Sequence, residues 1–246
     1  MSGEHEDADT LRVAFFRPAD ERERRAVEVV HKYGFEPLSD PLLETVPTGA
    51  KPRTDADYVV LTSVTGVRLA SEPLRDTDAV VCAVGPKTAD ALRAEGIDVD
   101  IVPEEYTSAG LVDALNEAGV EGARVEVARS DHGSDELLDG LNEAGAYVHE
   151  TVLYEIRRPE GGGEATTDAL RDGTLDSVLF TSSLTVEHLV LALEEADVGV
   201  DALDDVLVCA IGEPTRRTAE SIGVKVNLVP DEETFESLVE AVAEKL

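Results

Sequence analysis

Val81-Cys82-Ala83-Val84-Gly85-Pro86-Lys87-Thr88 recurs as Val208-Cys209-Ala210-Ile211-Gly212-Glu213-Pro214-Thr215. Each stretch reads as a short apolar strand, a glycine turn and the opening of a helix. Each runs on to a glycine (Gly96, Gly223), a Val-Pro pair (Val102-Pro103, Val229-Pro230), a threonine (Thr107, Thr234) and an apolar helical tail (Leu111-Val112, Leu238-Val239), at a constant offset of 127 residues. Upstream, Asp57-Tyr58-Val59-Val60-Leu61-Thr62-Ser63 matches Asp176-Ser177-Val178-Leu179-Phe180-Thr181-Ser182 at an offset of 119. A fainter pair, Arg12–Arg17 and Arg124–Arg129, closes at Gly34 and Gly145. The order is therefore A-B-A′-B′. A duplicated α/β unit predicts two similar domains, with a cleft where a large ligand can sit.

Working outward, short apolar runs alternate with amphipathic stretches. Val13–Phe16, Tyr58–Leu61, Ala79–Val84, Val99–Val102, Val125–Ala128, Val178–Phe180, Val206–Ile211 and Val226–Val229 read as strands covered on both faces. The intervening stretches read as helices over Asp20–Tyr33, Thr65–Ala70, Pro86–Glu95, Ser108–Ala118, Ser134–Ala144, Thr185–Ala196, Pro214–Ile222 and Thr234–Lys245. Several close on a glycine at the C′ position. Alternation of this kind predicts doubly wound parallel sheets with right-handed crossovers. Two extended, proline-punctuated segments, Glu36–Pro47 and Ala146–Pro159, break the rhythm and read as edge strands or interdomain connectors.

Composition narrows the function classes. The 246 residues carry 53 acidic and 21 basic side chains, a net charge of −32, and only five of the basic residues are lysine. Such a surface repels nucleic acid and anionic membrane. A dispersed acidic excess on a folded, lysine-poor chain predicts a high-salt cytoplasm, where screening relaxes self-repulsion. No apolar run approaches the ~20 residues of a membrane span, and the acidic opening, residues 1–10, reads as a disordered lead and not a signal peptide. Cys82 and Cys209 read as buried, reduced strand residues. No histidine stands at ligand spacing to a cysteine, and no Walker loop or GxGxxG is present, so the expectation is neither metal nor nucleotide cofactor.

The candidate binding groups stand where strands give way to helices, the end of a parallel sheet that takes ligands. Gly85 and Gly212 allow close backbone approach, and Thr88 and Thr215 can cap a helix or hydrogen-bond a ligand. Thr62 and Ser63, with Thr181, Ser182 and Ser183 in the second copy, offer hydroxyls beside helix N-termini that favour carboxylates, and serve equally as ordinary N-caps. Arg17 and Arg129 end equivalent strands and suit bidentate carboxylate contacts or surface ion pairs. No histidine or aspartate is spaced to activate a serine nucleophile.

The ordered set, from Arg12-Val-Ala-Phe-Phe-Arg17-Pro18 through Val84-Gly85-Pro86-Lys87-Thr88-Ala89-Asp90-Ala91-Leu92 to Val102-Pro103-Glu104-Glu105-Tyr106-Thr107-Ser108-Ala109-Gly110-Leu111, resembles the uroporphyrinogen-III synthase family from Arg12 to about Glu240. The second copy's Arg216-Arg217-Thr218 departs from the usual small residues there. The resemblance implies two α/β domains joined by a two-stranded connector. B plus A′ (57–146) forms one domain, A plus B′ (11–35 with 167–246) the other, and 36–56 with 147–166 the connector. It implies cyclisation of the linear tetrapyrrole hydroxymethylbilane, with inversion of ring D through a spiro intermediate and loss of water, without metal or organic cofactor; a monomer is the expected state. It also marks Tyr154, in Val152-Leu153-Tyr154-Glu155-Ile156, as the cleft-facing tyrosine suspected of acting as general acid; aromatic packing is the alternative role. A non-catalytic two-domain tetrapyrrole or small-molecule binder would use the same groups without turnover.

Overall fold

The computed structural model describes residues 10–246, so the predicted disordered lead lies, but for its last residue, outside the described residues. In chain order the elements are β1 (Arg12–Phe15), α1 (Glu21–Lys32), β2 (Glu36–Ser39), β3 (Glu44–Pro47), β4 (Tyr58–Leu61), α2 (Val64–Leu74), β5 (Val80–Ala83), α3 (Pro86–Ala94), α4 (Ser108–Glu117) and β6 (Arg124–Ser130). There follow α5 (Asp135–Glu143), β7 (Tyr147–Arg157), α6 (Glu164–Arg171), β8 (Ser177–Phe180), α7 (Ser183–Glu195), a 3-10 turn (Val200–Asp205), β9 (Leu207–Ala210), α8 (Glu213–Ser221) and α9 (Phe235–Lys245).

The chain divides into two compact units. One runs to Glu44 and resumes from Arg157 to Leu246; the other spans Thr45–Ile156. The first holds a sheet of order β2-β1-β8-β9, parallel throughout. The second holds β3-β7-β6-β4-β5, parallel from β7 to β5. The central order of the second, β7-β6-β4-β5, follows the same sequence of A-type and B-type strands as the first.

Alternation along the strands explains the layers. In the first unit Val13 and Phe15 pack with Ala26 and Val30 of α1 and Leu238 and Val242 of α9. Ala14 and Phe16 face the other way, onto Val186, Leu189 and Leu193 of α7 and Ala219 of α8. In the second unit Val59, Leu61, Val81 and Ala83 meet α2 and α3, while Val60, Cys82, Val125 and Val127 meet α4 and α5. Each strand is therefore apolar at nearly every position, because both of its faces are covered.

The clamps at the strand starts repeat as well. Asp57 accepts the Arg124 backbone N–H at 2.8 Å, and Asp176 accepts that of Arg12 at 2.7 Å. Asp100 accepts the Val81 N–H at 2.8 Å, and Asn227, at the equivalent position, accepts that of Val208 at 2.7 Å. Each ties a strand to its neighbour through a side chain at the same place in its unit.

Two expectations need correction, the short strands and the helix count. The strands expected at Val99–Val102 and Val226–Val229 shrink to single bridges, Cys82 to Ile101 and Cys209 to Leu228. The rest of each run is loop, because the side-chain clamps from Asp100 and Asn227 take the place of ladder bonds. The two segments expected as edge strands or interdomain connectors, Glu36–Pro47 and Ala146–Pro159, supply strands: β2 is the edge of its sheet, and β3 pairs with β7. Glu36–Ser39 pairs with β1 over four residues, and Tyr147 onward pairs in parallel with β6. An extended backbone beside a strand edge satisfies its own amides by pairing. The helix α6 has no counterpart among the expected helices. Its start is made by a residue distant in sequence: Asp40, buried, accepts the amides of Gly163 at 2.9 Å and Thr166 at 2.8 Å. Gly163 is left-handed (φ 92°), and a Cβ there would meet that of Ala192 at 2.6 Å.

Candidate active site

In the second unit, the carboxyl ends of β4, β6 and β7 surround a cavity of about 470 Å³ lined by Thr62, Ser63, Tyr106, Arg129, His132, Ser134 and Tyr154, among others. Tyr154 arrives there because β7 breaks step. Arg129 of β6 stands opposite Val152, but Ser130 stands opposite Tyr154, so Leu153 is an extra residue. Strict alternation would send Leu153 and Tyr154 to opposite faces. The bulge lets both join one apolar cluster with Leu61, Val67 and Ala128.

Tyr154 is 7% exposed. Its hydroxyl lies 3.0 Å from Ser63 Oγ. Ser63 is the N-cap of α2, and its Oγ accepts the Gly66 N–H at 2.9 Å. The phenol therefore connects, through one serine, to the positive end of a helix. Gly66 makes this approach possible, since a Cβ there would stand 3.1 Å from Ser63 Oγ and 3.5 Å from Leu153 Cδ1.

Arg129 is not at the surface. It is 3% exposed, and its Nε donates to Glu150 Oε1 at 2.6 Å while a second nitrogen donates to the Ser134 carbonyl. A third stands 3.6 Å from Asp135. The residue expected to grip a substrate carboxylate thus meets carboxylates of its own chain. A buried guanidinium must be paired, and this pairing ties β6 to β7 and to the loop 130–134. Gly133 runs directly over it: a Cβ there would meet Arg129 Cδ at 2.4 Å.

In the first unit, Arg17 differs from its counterpart. Its guanidinium carbon stands 4.8 Å above the Phe235 ring, and among the described residues it forms no ion pair. Its Nε is buried with no hydrogen-bond partner. Burial, and then Arg22, push its pKa down, with Asp20 opposing. Ser182 caps α7 in a reciprocal box with Thr185. Ser183 Oγ accepts from the Thr218 hydroxyl at 2.8 Å, linking α7 to α8. Thr181, between β8 and that cap, is half-buried.

Gly85 and Gly212 are the N-caps of α3 and α8, with extended backbones and no side-chain cap. Tyr106 leans on Gly85, where a Cβ would lie 3.3 Å from its own, and Glu233 occupies the equivalent place at Gly212. Thr88 and Thr215 lie in the first turns of these helices but are only 5% and 4% exposed, so their side chains pack inside. Cys82 and Cys209 are buried and unpaired, and burial pushes both thiols up to about 12.

Sequence reading missed Tyr106, Ser134 and the Asp131–His132 pair. Tyr106 falls in the B copy, where its counterpart is glutamate, and the other three fall in the weakly matched part of A′, so the repeat offers no residue to follow. His132 Nδ1 stands 2.9 Å from Asp131 Oδ1, which also accepts the Ile156 amide at 3.0 Å. Among the described residues no group of three or more His, Cys, Asp or Glu side chains is placed to hold a metal ion. None of their helices is long and apolar enough to cross a membrane.

These features define a class: an α/β protein with parallel sheets, in which one unit carries hydroxyls, helix amides and a buried phenol at its strand ends and the other carries an arginine with an unpartnered Nε. A family model described as "Uroporphyrinogen-III synthase HemD" matches residues 24–240. A protein of Methanothermobacter thermautotrophicus provisionally named uroporphyrinogen-III synthase is 34% identical over 94% of this chain and 97% of its own length. The uroporphyrinogen-III synthase of Synechococcus elongatus is 29% identical over 76% of this chain and 75% of its own. The fold is shared with a mutant uroporphyrinogen III synthase from Thermus thermophilus (22% identity, 96% of this chain and 99% of that one, TM-score 0.63). It is shared too with the Helicobacter pylori enzyme (15% identity, 96% and 100%, TM-score 0.62). The chain belongs to the uroporphyrinogen-III synthase family.

Proposed function

We infer that this chain is a hydro-lyase that closes hydroxymethylbilane to uroporphyrinogen III with ring D inverted, and that Tyr154 is its general acid. The observation that carries the reading is the Tyr154 hydroxyl, buried beside the cavity and 3.0 Å from the helix-capping Ser63. In the first step Tyr154 gives its proton to the terminal hydroxyl of the substrate. The C–O bond breaks, water departs, and the electron pair of the adjoining pyrrole meets the cation left behind. Carbon–carbon bond formation from ring D gives the spiro intermediate, whose rearrangement and final proton loss yield the inverted macrocycle. Placing the two ends of a flexible chain contributes more to such a step than strong acid–base groups do.

The substrate carries eight carboxylates. Arg17, whose buried Nε has no hydrogen-bond partner and whose guanidinium stacks on Phe235, is the contact we assign to one of them. Thr62, Thr181 and the amides opening α2, α3, α7 and α8 supply further donors. We read the two units as products of an internal duplication, a reading supported by their matching strand orders and by the paired clamps Asp57/Asp176 and Asp100/Asn227. The charge of −32 supports a monomer working in a salt-rich cytoplasm, with no nucleic-acid or membrane partner.

The test is isomer analysis. Supplied with hydroxymethylbilane, and with no added metal or nucleotide, the folded protein yields the type III porphyrin after oxidation, resolved by chromatography. Spontaneous closure gives type I, and type I alone would leave only a binding role.

A further inference from the structure

The loop 130–134 is built to hold one residue still. Arg129, from below, donates to the Ser134 carbonyl, and Gly133 lies flat against that guanidinium. The Gly133 amide returns to the Ser130 carbonyl at 3.2 Å, and the Asp131 amide reaches the Tyr154 carbonyl at 3.2 Å. Asp131 accepts the Ile156 amide and the Nδ1–H of His132. These bonds hold the residues on either side of His132, one of them holds its ring, and His132 lines the same cavity as Tyr154. Its ring is 44% exposed, and among the described residues Nε2 has no partner.

The charges around the ring decide what it can do. Asp131 is the acidic group in contact with it. Burial pushes the Asp131 carboxyl up, but the hydrogen bonds from His132 and the Ile156 amide, together with the charge of His132, outweigh that and hold it below its ordinary value. The other titratable side chains on the cavity wall are Arg129 from β6, Tyr154 from β7 and Tyr106 from the segment before α4. Arg129 is neutralised by Glu150 and Asp135. With Nδ1 held by Asp131, an imidazolium at this position presents Nε2–H to the cavity as a charged donor.

Resting on the proposed function, we propose that His132, oriented by Asp131, is the carboxylate-binding cation of this cavity, the role that the sequence assigns to Arg129. His132 contacts a substrate carboxylate, Asp131 is a positioning residue, and Arg129 is the internal brace that holds the loop.

The experiment is steady-state formation of isomer III by the full chain and its variants. His132→Gln raises KM for hydroxymethylbilane about tenfold, as expected for losing a hydrogen bond to a charged group, and leaves kcat within about twofold. His132→Lys returns KM to within about threefold of the parent. Raising pH through the titration of the His132 ring, followed by its proton resonances, raises the KM of the parent, while that of His132→Lys stays flat over the same range. Asp131→Asn weakens the bond that orients the ring and raises KM as well. A parent-like KM in His132→Gln overturns the proposal. So does a loss in both His132 variants that tracks a lowered melting temperature, which marks a loop-stabilising role. Failure of the parent protein to enrich isomer III is a separate result and would overturn the proposed function itself.

Discussion

Tyr154 and Ser63 meet because one strand carries one residue too many. The resemblance singled out the tyrosine and the repeat singled out the serine, but nothing in the sequence announced that they touch. The bulge at Leu153 that joins them depends on pairing with β6, a strand more than twenty residues away. Arg129 shows the complementary failure. Its place at a strand end was legible, yet its burial arises from Glu150 and Ser134, whose positions follow only from the sheet. His132 left no signal, since the stretch after Arg17 that corresponds to its loop carries no histidine. At this scale Tyr154→Phe keeps the ring and removes the proton, so kcat for isomer III falls by about one to two orders of magnitude. Thermal unfolding stays near the parent's. An unchanged kcat would reduce Tyr154 to packing. Thr88→Ala does the reverse. The buried side chain loses packing worth about 1 kcal/mol, read as a lower melting temperature, while KM is unaffected.

Helices were the most legible elements, because caps and periodicity are written locally. The N-caps Ser63, Thr107, Ser182 and Thr234 all accept a first-turn amide, as the residue types predict. Strands were less so where pairing, not composition, makes them: β2 and β7 look like connectors until partnered, and Val99–Val102 looks like a strand but is mostly loop. The second copy's Arg216-Arg217 departs from the usual pattern for an electrostatic reason. Arg216 donates to Glu213 at 2.6 Å and to Glu220 at 2.8 Å, and Arg217 adds a third bond to Glu213. Hydrogen bonds from Arg216 first, then from Arg217, lower the Glu213 pKa from its ordinary 4.5 to about 2. The folded value is the depressed one, so this contribution is present above 4.5 and is lost as pH falls toward 2. The carboxylate is exposed and its effect correspondingly modest. Glu213→Gln therefore lowers melting temperature modestly near neutrality, converges on the parent as pH falls toward 2, and so flattens the acid limb over that window. A parallel downward shift at every pH would mean that Glu213 acts by packing or by capping α8.

At the scale of the whole molecule, charge is the dominant feature and the one most fully legible from composition. A chain at −32 has to take up a substrate with eight carboxylates, so long-range fields oppose both encounter and compact folding. The surface ion pairs that could offset this, such as Lys32 with Glu236 and Arg25 with Glu21, are exposed and individually weak. Added salt screens the repulsion first: at ~1 M the Debye length falls to about 3 Å. The contacts assigned to binding act at shorter range. Arg17 is partly buried against Phe235, and helix amides carry no net charge for salt to neutralise. Melting temperature and isomer III formation therefore both rise from dilute buffer to molar potassium chloride, and KM falls or holds over the same rise. Calorimetry and steady-state assays across one salt series separate the two effects. A KM that climbs steeply with salt would mean that counterions compete for a strongly basic site, and the assignment of hydroxyls, amides and a few fixed cations as the binding groups would then be wrong.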